Sequence, residues 1–378
     1  MIVIADDITG AAEIAGIAFE RGADVRLVCG CTNDTKITDE GITVIATDTR
    51  SMTEEEAIAE TRCIAKAIPY HYSTASWTKN GTQAPSVIFK KTDSALRGHV
   101  VAELSTLMNI IGYSRAVYAP ANPSKGRTIR SGLYYIDKTP INKTEFSFDP
   151  EFPATTASLR KLFPDVASKK IVIPDARTLL DLHCIIQLYD NGNTLFAGSG
   201  DLFGEFLSFT KEYKEPDPSR MAAPSTAACN YSENTLILCG STQSKELNIG
   251  IPISPMPQDI YDGADDPVLW DTQAYAEKHS LILTIPHTHS TGKEVAIHLR
   301  SMMAQVAKRL IDEHRPDQLI IEGGATAWAT LQILGWTEFK IERQIAPGVV
   351  QMRADNGTLV TLKPGSYPWG GMFQSFSE

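Results

Sequence analysis

Two α/β domains built on mostly parallel sheets are predicted for this chain, and three observations predict them. Its 378 residues exceed what one ordinary hydrophobic core accommodates. Short apolar, β-branched runs alternate with helical stretches in both halves. A segment poor in apolar bulk and rich in breakers, around residues 211–234, separates the halves.

The first element is the most informative. Ile2-Val3-Ile4-Ala5 reads as a buried strand that stops at Asp6-Asp7, followed by Ile8-Thr9-Gly10 and a helix through Phe19. The two carboxylates thus sit at the carboxyl end of a strand, where open α/β sheets bind ligands. Side by side they repel, so they need a cation, a metal or a proton; the plainer reading is one helix cap and one solvated Asp. Further strands are expected at residues 24–29, 42–47, 86–89, 115–119, 170–173 and 194–197, with helices at 54–68, 100–111, 178–189 and 202–213. Residues 1–212 form the first domain, 213–234 a linker and 235–378 the second. In the second, strands fall at 235–238, 281–285 and 318–321, a long helix at about 294–314, and a β-rich stretch at 340–362.

Composition narrows the class. Hydrophobic residues at 43% with charged residues at 21% describe a globular protein in water, and no apolar run approaches the ~20 residues needed to span a bilayer. The amino terminus lacks a basic leader and a small-residue cleavage site, so the cytoplasm is the expected compartment. A net charge of −10 argues against nucleic acid as partner. Six scattered cysteines, Cys29, Cys31, Cys63, Cys184, Cys229 and Cys239, complete no zinc set and read as core thiols.

Against this acidic background, local cations carry information. Phe89-Lys90-Lys91-Thr92-Asp93-Ser94-Ala95-Leu96-Arg97-Gly98 follows a strand and gathers two lysines and an arginine, a loop suited to a carboxylate or phosphate. Asn122-Pro123-Ser124-Lys125-Gly126-Arg127-Thr128 is a second cationic strand-end loop, able to add an anion clamp beside Arg97 or to be merely a turn. In the second half, Gly240-Ser241-Thr242-Gln243-Ser244 and Gly323-Gly324-Ala325-Thr326-Ala327 follow strands, and Lys363-Pro364-Gly365 lies near the end. Small residues there let backbone N–H groups approach phosphate, although neither a Walker loop nor a dinucleotide fingerprint is present. His287-Thr288-His289 lacks a third ligand and reads as a polar loop, so no metal ligand is assigned. Ser199, in Gly198-Ser199-Gly200, lacks a nucleophile's partners and reads as a loop near the domain interface.

Taken in order, Ala5-Asp6-Asp7-Ile8-Thr9-Gly10-Ala11, Lys91-Thr92-Asp93-Ser94-Ala95-Leu96-Arg97-Gly98, Gly126-Arg127-Thr128, Gly132, Tyr134-Tyr135, Gly240-Ser241, Gly323-Gly324-Ala325-Thr326-Ala327, Ile345-Ala346-Pro347-Gly348 and Lys363-Pro364-Gly365 resemble the four-carbon acid sugar kinases over essentially the whole chain. The resemblance implies a sugar-acid domain first and an ATP domain second, a ligand cleft between them, and phosphorylation of an acid such as threonate, erythronate or 2-oxo-tetronate. It places Asp6, Arg50, Lys91, Thr92, Ser94, Arg97 and Arg127 on the substrate side. Ser241, Gly323, Gly324, Ala325, Thr326 and Gly365 fall on the ATP side. The chain departs from the family pattern at Ala325, where Asp is usual, and at Lys363-Pro364-Gly365-Ser366-Tyr367-Pro368, where Lys-Ser-Gly-Gly-Phe-Gly is usual.

Phosphoryl transfer between two anionic species rests on positioning and charge neutralisation. Asp7 or Asp93 is expected to orient the acceptor hydroxyl and take its proton, with Arg50, Lys91 and Arg97 on the substrate carboxylate and transferring group. Mg2+ is expected on the ATP phosphates, and the linker to let the domains close. Two alternatives stand: a non-catalytic sensor of sugar acid or nucleotide, favoured by the departures at Ala325 and Pro364, and a phosphohydrolase with an aspartate nucleophile, disfavoured by the adjacency of Asp6 and Asp7. The acid's stereochemistry, the hydroxyl phosphorylated and the oligomeric state stay open, a symmetric homodimer being the default.

Overall fold

The structure, a computed structural model, describes residues 1–30, 41–68, 88–149, 152–209, 215–217, 219–220, 232–241, 247–286, 292–365, 367–369 and 372–373. The chain divides into two compact units, Met1–Pro216 and Asp217–Glu378.

In the first unit the apolar runs become strands β1 (Ile2–Ala5), β2 (Val25–Cys29), β3 (Ile42–Ala46), β4 (Ile88–Lys91), β5 (Arg115–Ala119), β9 (Ile171–Val172) and β10 (Thr194–Gly198). They pair in the order β2-β3-β1-β4-β10-β5-β9, every pair parallel. Parallel strands all end at one edge, so the loops after β1, β3, β4, β5 and β10 meet there although they span nearly two hundred residues of sequence. That edge carries the site.

Helices α1 (Ile8–Glu20), α2 (Glu54–Ala67), α3 (Val100–Ile111), α5 (Leu179–Tyr189) and α6 (Gly200–Ser208) accompany this sheet, with a single turn, α4, at Leu159–Leu162. The first is built on Ala11, Ala12, Ala15, Gly16 and Ala18, small residues that let a helix approach a sheet closely. Thr53 with Glu56, and Thr178 with Asp181, close capping boxes on the second and fifth. One core packs Ile2, Ile4 and Ile45 of the sheet against Leu104 and Leu107, each worth about 1.5–3 kcal/mol when fully buried.

Residues 127–140 form a feature the sequence did not suggest, an antiparallel sheet of β6 (Arg127–Arg130), β7 (Leu133–Ile136) and β8 (Thr139–Pro140). Both turns place two consecutive residues at positive φ, Ser131-Gly132 and Asp137-Lys138, the geometry of tight hairpins. Only the first announces itself with a glycine.

In the second unit β11 (Thr235–Cys239), β12 (Ile253–Pro255), β13 (Ser280–Thr284), β14 (Gln318–Glu322) and β17 (Leu359–Lys363) pair in parallel in the order β12-β13-β11-β14-β17. The β-rich stretch is the antiparallel hairpin β15 (Glu338–Ala346) and β16 (Val349–Ala354), joined to β17. The helices here are α7 (Gln258–Tyr261), α8 (Gln273–Lys278), the long α9 (Lys293–His314) and α10 (Gly324–Leu334).

Several expectations fall outside the described residues: most of the linker at 213–234, the helix end at 210–213, Cys31, Cys229, Gln243, Ser244, His287, His289 and Ser366. Of the described cysteines, Cys29 and Cys239 are buried as expected, but Cys63 and Cys184 are exposed. Ser199, expected in a loop, is fully buried and caps α6, its hydroxyl accepting from Leu202 N–H. No described helix is long and apolar enough to cross a membrane.

Candidate active site

Asp7 is the N-cap of α1, its Oδ1 accepting from Gly10 N–H at 2.9 Å and its Oδ2 from the Thr9 hydroxyl. The same Oδ2 faces Arg50 Nη1 at 3.1 Å. Burial pushes the Asp7 carboxyl up, but Arg50, Lys91 and the Thr9 hydroxyl outweigh it and hold the group below its usual range. Asp7 is thus a helix cap that is also paired with a cation, whereas the expectation of a solvated neighbour fails, because Asp6 is buried.

Asp6 is 1% exposed, and its Oδ2 accepts from Asp93 N–H at 2.8 Å, pinning the turn after β4. Its Oδ1 is buried with no hydrogen-bond partner among the described residues. Burial and the neighbouring charge of Asp7 push its carboxyl up to about 7, against the opposing pull of Lys90, Lys91 and Arg50. The adjacent carboxylates expected to repel thus resolve the conflict by dividing labour, one ionised and one near its titration point.

The two lysines at the end of β4 part company, because successive strand residues face opposite sides. Lys90 is fully buried and ion-paired to Glu103 of α3, which also accepts from Thr49 Oγ1 at 3.0 Å. It does not join the anion-binding side. Lys91 points the other way, donating to Thr92 O at 3.1 Å and lying 3.4 Å from Glu13 of α1. Burial alone would depress its ammonium; Glu13, Asp6 and Asp7 raise it above its usual value.

Gly10 is required where these groups meet. A Cβ there would lie 2.6 Å from Asp7 Oδ1 and 2.9 Å from Lys91 Nζ.

Both oxygens of Asp93 are engaged. Arg97 reaches Oδ2 through Nε and Oδ1 through Nη2, both at 2.9 Å, and Ala95 N–H also donates to Oδ2. Burial is overcome by Arg97 and Arg50, so this carboxyl lies far below its usual range. Asp93 accordingly anchors Arg97, while Asp7, whose two oxygens are likewise engaged, caps α1 and faces Arg50. Arg97 Nη1 also meets Asp149 at 3.2 Å, and its guanidinium lies 5.9 Å from the Phe146 ring. Arg127 lies 5.6 Å from the same ring and donates to Ser94 Oγ. Thr92 N–H donates to Gly198 O at 3.0 Å, tying the β4 loop to the end of β10.

Sequence reasoning passed over Glu13, Asp149 and Phe146, and quoted Lys125 without assigning it. Lys125, in the turn after β5, is ion-paired to Glu13. Their signal was weak because each lies far in sequence from its partner. With them, Arg50, Lys91, Arg97 and Lys125 pair with Asp7, Glu13, Asp93 and Asp149 along one strand-end edge, which Asp48 after β3 and Asp201, accepting from Ser124, also border. Cations gathered in this way suit an anionic ligand.

The second unit builds a different surface. Gly240-Ser241 follows β11, Gly323 precedes α10, and Pro364-Gly365 follows β17. These loops touch: a Cβ on Gly240 would stand 2.7 Å from Thr326 Cβ, and one on Gly365 would stand 2.9 Å from Ser241 Cβ. Gly323 has φ near +100°, and no side chain caps the amino terminus of α10. Gly324 and Ala325 sit at that first turn with Ala325 exposed, whereas Thr326 is buried beneath Gly240. Lys363 is ion-paired to Glu322, its partner in register across β14 and β17. It also donates to Pro364 O at 3.1 Å and Gly365 O at 3.2 Å, and lies 4.9 Å from the Trp369 ring. No group of three His, Cys, Asp or Glu residues arranged to hold a metal occurs among the described residues.

Comparison with known proteins gives the same division. Residues 1–198 match the family model described as a sugar-binding N-terminal domain, and residues 241–367 that of a nucleotide-binding C-terminal domain. A 3-oxo-tetronate kinase of Brucella melitensis is 24% identical over 97% of this chain and 92% of its own. A D-erythronate kinase of Heliobacterium modesticaldum is 22% identical over 92% and 88%. A D-threonate kinase of Salmonella typhimurium is 28% identical over 43% of this chain and 36% of its own. Among solved structures, a Haemophilus influenzae protein shares the fold with a TM-score of 0.66 at 19% identity, covering 99% of this chain and 98% of that one.

Proposed function

We propose, for a chain that belongs to the four-carbon acid sugar kinase family and is thereby a carbohydrate kinase, that it moves the γ-phosphoryl group of ATP onto a hydroxyl of a four-carbon acid sugar. The threonate, erythronate or oxo-tetronate class supplies the acceptor. One observation carries this reading: Asp7, an ionised carboxylate held by Arg50, sits at a parallel-sheet edge crowded with paired cations, which suits an anionic substrate bearing a hydroxyl.

Arg50, Lys91 and Arg97 take the carboxylate of the acid and the charge of the transferring group, with Thr92, Ser94 and Arg127 beside them. Asp7 orients the acceptor hydroxyl and receives its proton, a step typically worth about 10²–10⁴-fold. Its depressed acidity is no obstacle, because phosphoryl transfer asks for orientation more than for a strong base. Asp6 holds the Asp93 turn in place.

In the nucleotide-binding unit, Ser241, Gly323, Gly324, Ala325, Thr326 and Gly365 line the phosphate side. Glycine loops packed directly against Thr326 and Ser241, together with a helix start that no side chain caps, suit a polyphosphate approached by backbone. Mg2+, when bound, would neutralise charge on the nucleotide phosphates. A reaction that draws on ATP and a chain with scattered cysteines favour the cytoplasm as its compartment.

The test is a panel of four-carbon hydroxy acids mixed with the protein and Mg-ATP. Acid-dependent ADP release supports the kinase. Phosphate release from a phosphoester without ATP supports a hydrolase instead, and saturable binding without turnover a sensor.

A further inference from the structure

Glu13 has no place in the roles above, yet it is the point on which two loops converge. It projects from α1 and is 7% exposed. One of its oxygens takes Lys125 and the other lies 3.4 Å from Lys91. Those lysines come from the ends of β5 and β4, strands separated in the sheet by β10. The chain makes room for this carboxylate: Gly200, just after β10, would bring a Cβ to 3.1 Å from Glu13 Cδ.

An isolated ionised carboxylate so buried is costly, and two ammonium groups satisfy it. The arrangement also disciplines the lysines. Lys91 shares the space beside Gly10 with Asp7, so without Glu13 its ammonium is drawn onto Asp7. Two neighbouring ammonium groups repel, so Lys125 would leave Lys91 for solvent if the carboxylate between them lost its charge.

We propose that Glu13 is a positioning residue of the sugar-acid pocket, holding Lys91 and Lys125 side by side as one seat for the anionic acid and keeping Lys91 off Asp7. This rests on the sugar-acid reading of the site and adds Lys125 to its ligand-facing cations. An ammonium has three donors. Lys91 turns two of them to Thr92 O and Glu13, and the proposal assigns the third to the ligand.

The sign of the effect separates positioning from bulk charge. Glu13→Gln keeps the shape but leaves the pocket one charge more positive, so a purely electrostatic role tightens acid binding, whereas a positioning role weakens it. Calorimetric titration with the acid of highest turnover, or with threonate where none turns over, is the measurement. The expected result is a Kd raised about tenfold in E13Q, equivalent to about 1.4 kcal/mol. Glu13→Asp, which keeps the charge but reaches less far, recovers part of the loss. In the Lys125→Met background E13Q costs less than it does in wild type but still weakens binding, because Lys91 is released toward Asp7 all the same.

Circular dichroism and melting establish that each variant is folded, and E13D serves in place of E13Q where the latter is not. A Kd in E13Q equal to or tighter than wild type overturns the proposal, as does full additivity with Lys125→Met. Absence of turnover in wild type, with binding retained, counts against the kinase reading and leaves the Glu13 test standing. Absence of any acid binding overturns both.

Discussion

Arg97 holds Asp93 in a two-toothed grip, Nε on Oδ2 and Nη2 on Oδ1, each at 2.9 Å. The pairing fixes the guanidinium plane beside Phe146 and turns Nη1 toward Asp149. A carboxylate so occupied is a support for its arginine, and on the proposed reading that arginine meets the acid. Arg97→Lys keeps the charge but cannot reproduce either the fork or the ring contact. The acid KM should rise about 10–100-fold with the ATP KM unchanged. Steady-state kinetics decide it, and an unaltered acid KM would remove Arg97 from the substrate side.

Asp7 gives the sharpest catalytic prediction, because its structural duty survives a conservative change. In Asp7→Asn the side-chain carbonyl still accepts from Gly10 N–H, so α1 stays capped. The charge facing Arg50 is lost, and with it the proton acceptor. Turnover should fall by about 10²–10⁴-fold, and the lost pairing with Arg50 should lower the melting temperature without unfolding the protein at assay temperature. A folded variant with near-normal kcat would end the assignment.

Crowding between Gly240 and Thr326 makes the nucleotide-side loops intolerant of a single methyl group. A Cβ at position 240 collides with the Thr326 side chain, so Gly240→Ala must displace the loop after β11 or the start of α10. The expected cost is about 1–3 kcal/mol of stability together with at least tenfold weaker ATP binding. Nucleotide titration of the folded variant is the check, and wild-type ATP affinity would count against these loops as the phosphate cradle.

Lys363 and Glu322 form a buried ion pair across adjacent strands, where breaking one partner is worse than replacing both. Lys363→Met or Glu322→Leu alone should lose about 3–5 kcal/mol, and the double variant should regain most of it. Urea unfolding of the four proteins gives the answer, with additive losses as the outcome that sinks it.

Asp6 confers a dependence on pH whose sign is fixed by the direction of its shift. Burial and Asp7 raise its carboxyl from 3.8 to about 7, so between those values the folded protein binds a proton that the unfolded chain has released. Its contribution therefore favours folding at low pH and is lost as pH rises toward 7. Asp93 works oppositely: its depressed carboxyl stabilises the fold above about 4 and loses that contribution on acidification. The difference between wild type and Asp6→Asn isolates Asp6, since Asn still accepts from Asp93 N–H. The variant should be about 1–3 kcal/mol more stable than wild type at pH 8, with the gap closing toward pH 4. A gap independent of pH would refute the shift.

Much of this could be read before folding. The strand ending at Asp6, the α/β alternation and the glycine loops after β11 and β14 are local signals, and each stands where residue pattern placed it. The antiparallel sheet at 127–140 escaped because its strands are short and Asp137-Lys138 makes a tight turn without glycine.

What the sequence alone determined was the inventory: which residues are charged, which ends of strands they follow, and which loops have room for backbone to approach phosphate. Only the tertiary structure decided which charges meet. The two-residue period of β4 sends Lys90 to Glu103 and Lys91 to Glu13, and Glu13 reaches Lys125 across 112 positions of chain. Pairings of that kind depend on strand order and helix placement, and no local pattern encodes them, because electrostatic attraction acts through space and is indifferent to distance along the chain.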